Sequence, residues 1–209
     1  MSYSKIDICN QALTGILGED LIRSFDDNNK NARMASLSFD FLRDRLLADF
    51  DWAFARKLVK LESLVLDTPI PSGEYVYGLP ADCIIVRDLY PHGSREYWQV
   101  LNGVFYCKKS GSVYIYYTAK EEDTRKYSQV FCDLLAVHIA ARICVPVTHD
   151  RKLKAVLAEE ARIAKLEAYQ VEANANNAYR DPDNDPDNDT FVDPDKKIAS
   201  VSDDPTVGT

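Results

Sequence analysis

The sequence predicts an α+β protein that is mostly helical: a helical bundle with an inserted small antiparallel β-meander and a disordered acidic C-terminal tail. Three observations favour this fold. Apolar residues recur as on one face of a helix in residues 4–17, in 28–49 and from 150 to 175, and residues 130–145 are apolar almost all round. Between these stretches the chain is rich in β-branched and aromatic residues broken by glycine turns. From Asp181 onward it is mainly Asp, Asn and Pro, with little to bury.

Residues 1–56 are expected to supply the first helices of the bundle. Residues 4–17 predict a short amphipathic helix, and Asp26–Asn29 offers caps for a long helix from near Asn28 to about Asp49. We expect Arg43 on the side of that helix opposite its apolar face. The predicted apolar face carries Met34, Leu37, Phe41, Leu42 and Leu46.

An aromatic cluster follows the long helix and predicts a structural clamp. Trp52 and Phe54 stand between the helix and the first strand, where they would fix the angle between the two elements. Tyr77 and Pro80, at the entry of a later strand, are assigned to the same clamp.

Residues 57–120 form the predicted β region, with four or five strands in one antiparallel sheet. Asn102-Gly103 is the strongest hairpin signal, because both residues tolerate the positive φ of a type I′ turn. Ser110-Gly111 indicates a second turn, and residues 68–73 predict a loop.

Residues 121–178 are expected to complete the bundle. Val130–Val145 is apolar almost all round, which indicates a buried central helix, and Pro146 is expected to end it. Thr148 is the predicted N-cap of a last helix. Its apolar stripe is predicted to carry Leu153, Leu157, Ala161, Ala164, Ala168, Val171 and Ala175.

The net charge of −8 is concentrated in the extended tail, residues 179–209. From Asp181 onward nine Asp stand against two Lys, so the preceding residues are nearly neutral. A tight DNA binder would carry a basic stripe, and none stands out in the sequence. Without a charged-then-apolar leader or an apolar run of about 20 residues, secretion and membrane residence are not expected. Five cysteines without a C-x-x-C pair predict reduced, mostly buried thiols.

No catalytic, metal or cofactor motif stands out. Cys132, His138 and Cys144 recur every six residues, which turns them to different faces of a helix instead of towards one metal ion. His138 is most simply a core histidine, and adjacent carboxylates such as Glu159-Glu160 do not build an acid–base pair. We therefore predict neither enzyme activity nor a cofactor.

The β region is rich in tyrosine, which suggests a protein-binding surface. Tyr and Trp are enriched in interface cores, whereas a platform for stacking nucleic-acid bases would need more interleaved Lys and Arg than this region has. Simple strand propensity is the plainer explanation. The candidate contact residues are Tyr97, Trp98, Tyr106, Tyr114 and Tyr116.

The order of several short motifs resembles one known family. These are Asn10-Gln11-Ala12-Leu13, Trp52-Ala53-Phe54-Ala55, Tyr77-Gly78-Leu79-Pro80-Ala81-Asp82 and Pro146-Val147-Thr148. Their order and spacing over roughly residues 3–175 resemble the head-to-tail adaptor of short-tailed phages, also called tail tubular protein A.

This resemblance implies a virion structural protein. It implies a ring of twelve subunits between the portal protein and the tail nozzle protein, part of a channel through which double-stranded DNA passes without specific binding. The chain would be made in the host cytoplasm, remain a monomer in isolation and close into a ring on the portal. Tyr179, Phe191 and Val192 in the tail are the expected portal contacts.

Two other classes of function stay open at this point. One is a tail-associated glycan hydrolase, which would need two carboxylates about 5–10 Å apart in a cleft. The other is a calcium-dependent binding module built on the alternating aspartates of the tail. An EF-hand loop, however, requires Gly at its sixth position and Glu at its twelfth, where this sequence has Pro186 and Val192.

Overall fold

The computed structural model describes residues 3–64, 74–91 and 96–178, which form a mixed α+β protein with helices on either side of a β region. The predicted loop at residues 68–73 and the acidic tail lie outside the described residues. The helices are α1 (Lys5–Asn10), α2 (Lys30–Asp49), α3 (Gln129–Thr148) and α4 (Arg151–Ala178). The strands are β1 (Arg56–Leu61), β2 (Tyr75–Gly78), β3 (Cys83–Leu89), β4 (Trp98–Leu101), β5 (Val104–Cys107) and β6 (Val113–Ala119).

The N-terminal helices begin at residues whose side chains cap them. Ser4 and Asp7 form a capping box at α1, which continues as a π-helical segment, Gln11–Ile16. The Asn29 side chain accepts a hydrogen bond from the Ala32 N–H at 2.7 Å and starts α2. The predicted start near Asn28 and end near Asp49 are therefore confirmed to within two residues.

The buried face of α2 differs from the predicted one. Leu42 and Leu46 are buried, but Leu37 and Phe41 are 66% and 52% exposed. Arg43, which we expected on the opposite side, is only 1% exposed. The cost of burying its charge is offset by Asp40 and Asp44, which bind its guanidinium at 2.8 and 2.7 Å.

Helix α3 is the centre of the first core. It packs against α1, the π-helical segment, α2 and α4. Its buried residues include Phe131, Leu135, Ile139 and Ile143, which confirms the predicted central helix. By length and composition α3 is also apolar enough to cross a membrane, but 56% of its apolar window is already buried inside the protein.

Two predictions at the end of α3 are wrong. The helix continues through Pro146 to Thr148, and the His149 N–H still reaches the Val145 carbonyl at 3.0 Å. The left-handed His149, at φ 61°, closes the helix. The cap of α4 is Asp150, whose carboxylate accepts from the N–H groups of Lys152 and Leu153 at 2.7 and 3.0 Å.

The prediction of a single meander is also wrong. Within the described residues the six strands form two three-stranded antiparallel sheets, ordered β1-β6-β3 and β2-β5-β4. The β4–β5 hairpin at Asn102-Gly103 is confirmed, with φ values of 52° and 76°. Strand β6 instead pairs with the distant β1 and β3, because its alternate residues complete a second core. Ser63 and Tyr77 form a bridge where the chain passes from the first sheet to the second.

The second core lies between the sheets and is separate from the helical core. Its buried residues are Leu61, Tyr77, Val86, Leu89, Phe105, Cys107, Val113, Ile115, Tyr117 and Ala119. These side chains come from five of the strands, so the β region has an apolar interior of its own.

Candidate functional site

Trp52 and Phe54, half of the predicted clamp, lie together in the helical core. The Trp52 ring is fully buried, and its indole N–H donates to the Leu46 carbonyl at 2.8 Å. Its centroid is 6.0 Å from that of Phe54 and 4.9 Å from that of Phe131 on α3. The aromatic cluster therefore ties the end of α2 to the central helix.

Tyr77 and Pro80, the other half of the predicted clamp, lie in the β region instead. The Tyr77 hydroxyl donates to the Lys109 carbonyl at 2.9 Å, and its ring belongs to the second core. The Pro80 carbonyl accepts from the Cys83 N–H at 3.0 Å and shapes the turn into β3. The structure thus places Trp52 and Phe54 in the helical core, Tyr77 in the second core and Pro80 in a turn of the β region.

Arg87 joins these two parts of the molecule. From β3 its Nη2 donates to the carbonyls of Leu47, Ala48 and Phe50 at 2.9, 3.0 and 2.6 Å. Its Nε donates to Thr118 Oγ1 on β6 at 2.8 Å. Carbonyls at a helix C-terminus lack partners within the helix and carry partial negative charge. The guanidinium therefore caps α2 from the sheet, and burial lowers the pKa of Arg87 from its usual value.

Glu172 makes a second connection that we did not predict. This α4 carboxylate is buried and accepts from the Ala53 N–H at 2.9 Å, in the short 3-10 turn that follows Trp52. Tyr169, one turn earlier, stacks on Phe50 with centroids 4.4 Å apart. No pattern in the sequence announces either contact, since each joins residues more than 100 positions apart.

Residues of the motifs that carry the family resemblance make hydrogen bonds between segments that are distant in sequence. The Asn10 amide donates to the Ile22 carbonyl and accepts from the Ile22 N–H, at 2.9 and 2.8 Å. Asp82 accepts from Lys57 Nζ at 2.7 Å and from the Tyr117 hydroxyl at 3.1 Å. The hydrogen bond from Lys57 holds the pKa of Asp82 below its usual value, while burial raises the pKa of Tyr117 to about 12.

The predicted tyrosine surface is divided between the two sheets. Tyr97 is 53% exposed, and Trp98, Tyr97's neighbour in sequence, stacks on the buried Phe105 with centroids 5.7 Å apart. Tyr106 lies in the same sheet and is half-buried. Tyr114 and Tyr116 are half-buried on β6 of the other sheet, beside Tyr90. The five residues therefore do not form one patch, and Trp98 is largely a packing residue.

The candidate portal contacts Tyr179, Phe191 and Val192 lie outside the described residues. So do the alternating aspartates that prompted the calcium interpretation. Both remain predictions from sequence.

Burial disfavours the charged forms of His138 and Cys132 on α3. Burial, followed by repulsion from Lys165 and Arg45, lowers the pKa of His138. Burial raises the pKa of Cys132 to about 11, which disfavours a thiolate nucleophile. In the described ranges, no three His, Cys, Asp or Glu side chains are grouped so that they could hold a metal ion.

No family model matches the sequence, and no curated protein matches it.

Proposed function

We propose that this chain is a virion structural protein, the head-to-tail adaptor that joins the portal to the tail nozzle of a short-tailed phage. Its function in this proposal is assembly and not catalysis. Copies of the chain form a ring, expected to hold twelve, around the path of the exiting double-stranded DNA.

One observation supports this proposal most directly. Helices α1 and α2 precede the β region and α3 and α4 follow it, yet all four contribute to a single core. The resembling motifs follow this same order of helices, β region and helices along the chain. Residues of the resembling motifs make hydrogen bonds within these parts, Asn10 and Trp52 in the helical part and Asp82 in the β region.

In this proposal the helical body and the β region have different partners. The helices pack side by side between subunits. Tyr97, which is 53% exposed, is the candidate contact with the nozzle or a neighbouring adaptor. The acidic tail reaches the portal, with Phe191 and Val192 as its apolar anchor.

Light scattering on the protein alone and mixed with its cognate portal ring tests the proposal. We expect a monomer alone and about twelve copies bound per portal ring. F191A/V192A should lose portal binding, whereas I198A, a matched change elsewhere in the tail, should keep it. A wild-type chain that ignores the portal, or that forms a stable ring alone, would contradict the proposed assembly.

A further inference from the structure

The outward side of α2 carries apolar side chains among positive charges. Leu37 and Phe41 are 66% and 52% exposed and lie one helical turn apart. Arg33 and Arg45 are exposed on the same side, and the Arg142 guanidinium of α3 lies 4.4 Å from the Phe41 ring centroid. We name Arg33, Met34, Leu37, Phe41, Arg45 and Arg142 the basic stripe.

The outward side of α4 carries mainly the opposite charge, with the exposed Lys152 as a cation one turn before Val156. Val156, Ile163 and Leu166 are 63%, 45% and 51% exposed, on the side of the helix opposite the buried Leu157, Ala161 and Ala168. Glu160 and Glu167 are exposed beside them. We name Val156, Glu160, Ile163, Leu166 and Glu167 the acidic stripe.

Four charged residues of the two stripes form no salt bridge within the described residues, although their charged neighbours do. Near the basic stripe, Asp40 and Asp44 are engaged by Arg43, Lys5 and Lys120. Near the acidic stripe, Glu159 is engaged by Arg162. Across the part of the chain that is described, no salt bridge involves Arg33, Arg45, Glu160 or Glu167.

The basic and acidic stripes of one molecule do not contact each other. Helix α3 packs against both α2 and α4, and the exposed apolar residues of the two stripes lie on different helices outside the core. Met34 also packs against the helical core, and Glu167 also lines a groove with residues of α3. A contact between the stripes therefore requires two molecules.

We propose that the partner of the basic stripe is the acidic stripe of a second copy of this chain. Two basic stripes, or two acidic ones, would bring like charges together, so a symmetric dimer through either face is disfavoured. A head-to-tail contact between two different faces generates a ring when the rotation closes. An open concavity of about 790 Å³ lies beside the start of α2, and its lining is mostly polar, with Phe25, Met34 and Leu37 as its apolar residues.

This inference rests on the proposed function and deepens it, because it states which two faces of the adaptor meet around the ring. A cross-linking experiment tests it with two variants, L37C and I163C, both in a C83S background. The other four native cysteines are buried, so each variant offers one accessible thiol. The probe is a short bismaleimide, applied to each variant alone and to their mixture, with and without the portal ring.

The proposal predicts a cross-linked dimer in the mixture and in neither variant alone. A product of equal yield from one variant alone would overturn it, since like faces would then meet. Portal binding in about twelve copies without any α2–α4 product would overturn the assigned faces and leave the adaptor function standing. An α2–α4 product in a chain that ignores the portal would support the faces and contradict the adaptor function. A chain that neither cross-links nor binds the portal would contradict both.

Charge reversal gives a second and independent test. The assay is assembly on the portal ring, where the wild type is expected to bind in about twelve copies. R33E/R45E makes both stripes acidic and E160K/E167K makes both basic, so each variant alone should assemble on the portal at least about tenfold more weakly. Mixed together, the two variants should recover assembly, because each stripe then meets an opposite charge on the other variant. K108E, an exposed change in the β region, is the control and should behave as wild type. Failure of the mixture to recover would overturn the proposal.

Discussion

Arg87 should contribute more to stability than any pattern in the sequence suggests. Replacing it with alanine removes the donors to the carbonyls of Leu47, Ala48 and Phe50, and the bond to Thr118. The carbonyls belong to the end of α2 and the residues just after it, and the strand that bears Arg87 belongs to the sheet. R87A therefore removes the hydrogen bonds by which this residue joins the end of α2 to the sheet.

The magnitude follows from the hydrogen bonds that are lost. A hydrogen bond to a charged group contributes about 1.5–3 kcal/mol, and a buried polar group left unpaired costs about 1–3 kcal/mol. These contributions do not add, because the bonds share one guanidinium and water can reach part of the opened site. We expect R87A to lower the free energy of unfolding by about 3 kcal/mol, a large part of the roughly 5–15 kcal/mol typical of a domain.

Urea titration followed by circular dichroism measures this loss, with the slope of the transition unchanged. R87K should fall between wild type and R87A, because one ammonium group keeps the charge at the helix end but cannot reproduce the forked donors. R125A is the matched control: Arg125 is exposed, binds its near neighbour Asp123, and should leave the midpoint where it is. If R87A does not fold, R87K still reports the effect. A loss below about 1 kcal/mol in R87A would refute the reasoning.

Three further predictions concern single side chains. W52F should lower the free energy of unfolding by about 2 kcal/mol in the same titration, because the indole N–H to Leu46 and part of the ring are lost; an unchanged midpoint would contradict this. The pKa of Asp82 is lowered in the folded state, so its contribution to stability is complete above the ordinary value of 3.8 and disappears as the pH falls through the lowered value. The stability difference between wild type and D82N should therefore shrink with acid over that range, and a difference independent of pH would count against the Lys57 and Tyr117 contacts. Cys83 is half-buried, whereas the other four cysteines are buried, so its thiol should be the first to react, though slowly, with a thiol reagent. C83S should abolish this first phase.

Local signals in the sequence predicted local structure well. Capping side chains and the Asn102-Gly103 turn act through bonds and dihedral angles within a few residues. The start and end of α2 and the β4–β5 hairpin could therefore be read from composition and spacing.

The errors arose where distant residues decide the outcome. Helix α2 has apolar side chains on more than one side, and periodicity alone does not state which side meets α3. The side of α2 that packs against α3 determines that Arg43 is buried and that Leu37 and Phe41 are exposed. Likewise, β6 pairs with β1 across more than 50 residues and not with the hairpin beside it, a choice that alternation within one strand does not reveal.

The misassigned residues of α2 bear directly on the proposed assembly. The prediction placed Leu37 and Phe41 in the core because a large apolar side chain usually gains free energy by burial. The structure leaves them outside, beside Arg45 and with Arg142 against the Phe41 ring. Exposed apolar side chains one helical turn apart would gain free energy if a partner buried them. In the proposed ring, the neighbouring subunit would bury these side chains. We therefore expect Leu37 and Phe41, which the prediction had placed in the core, to lie in the contact between subunits.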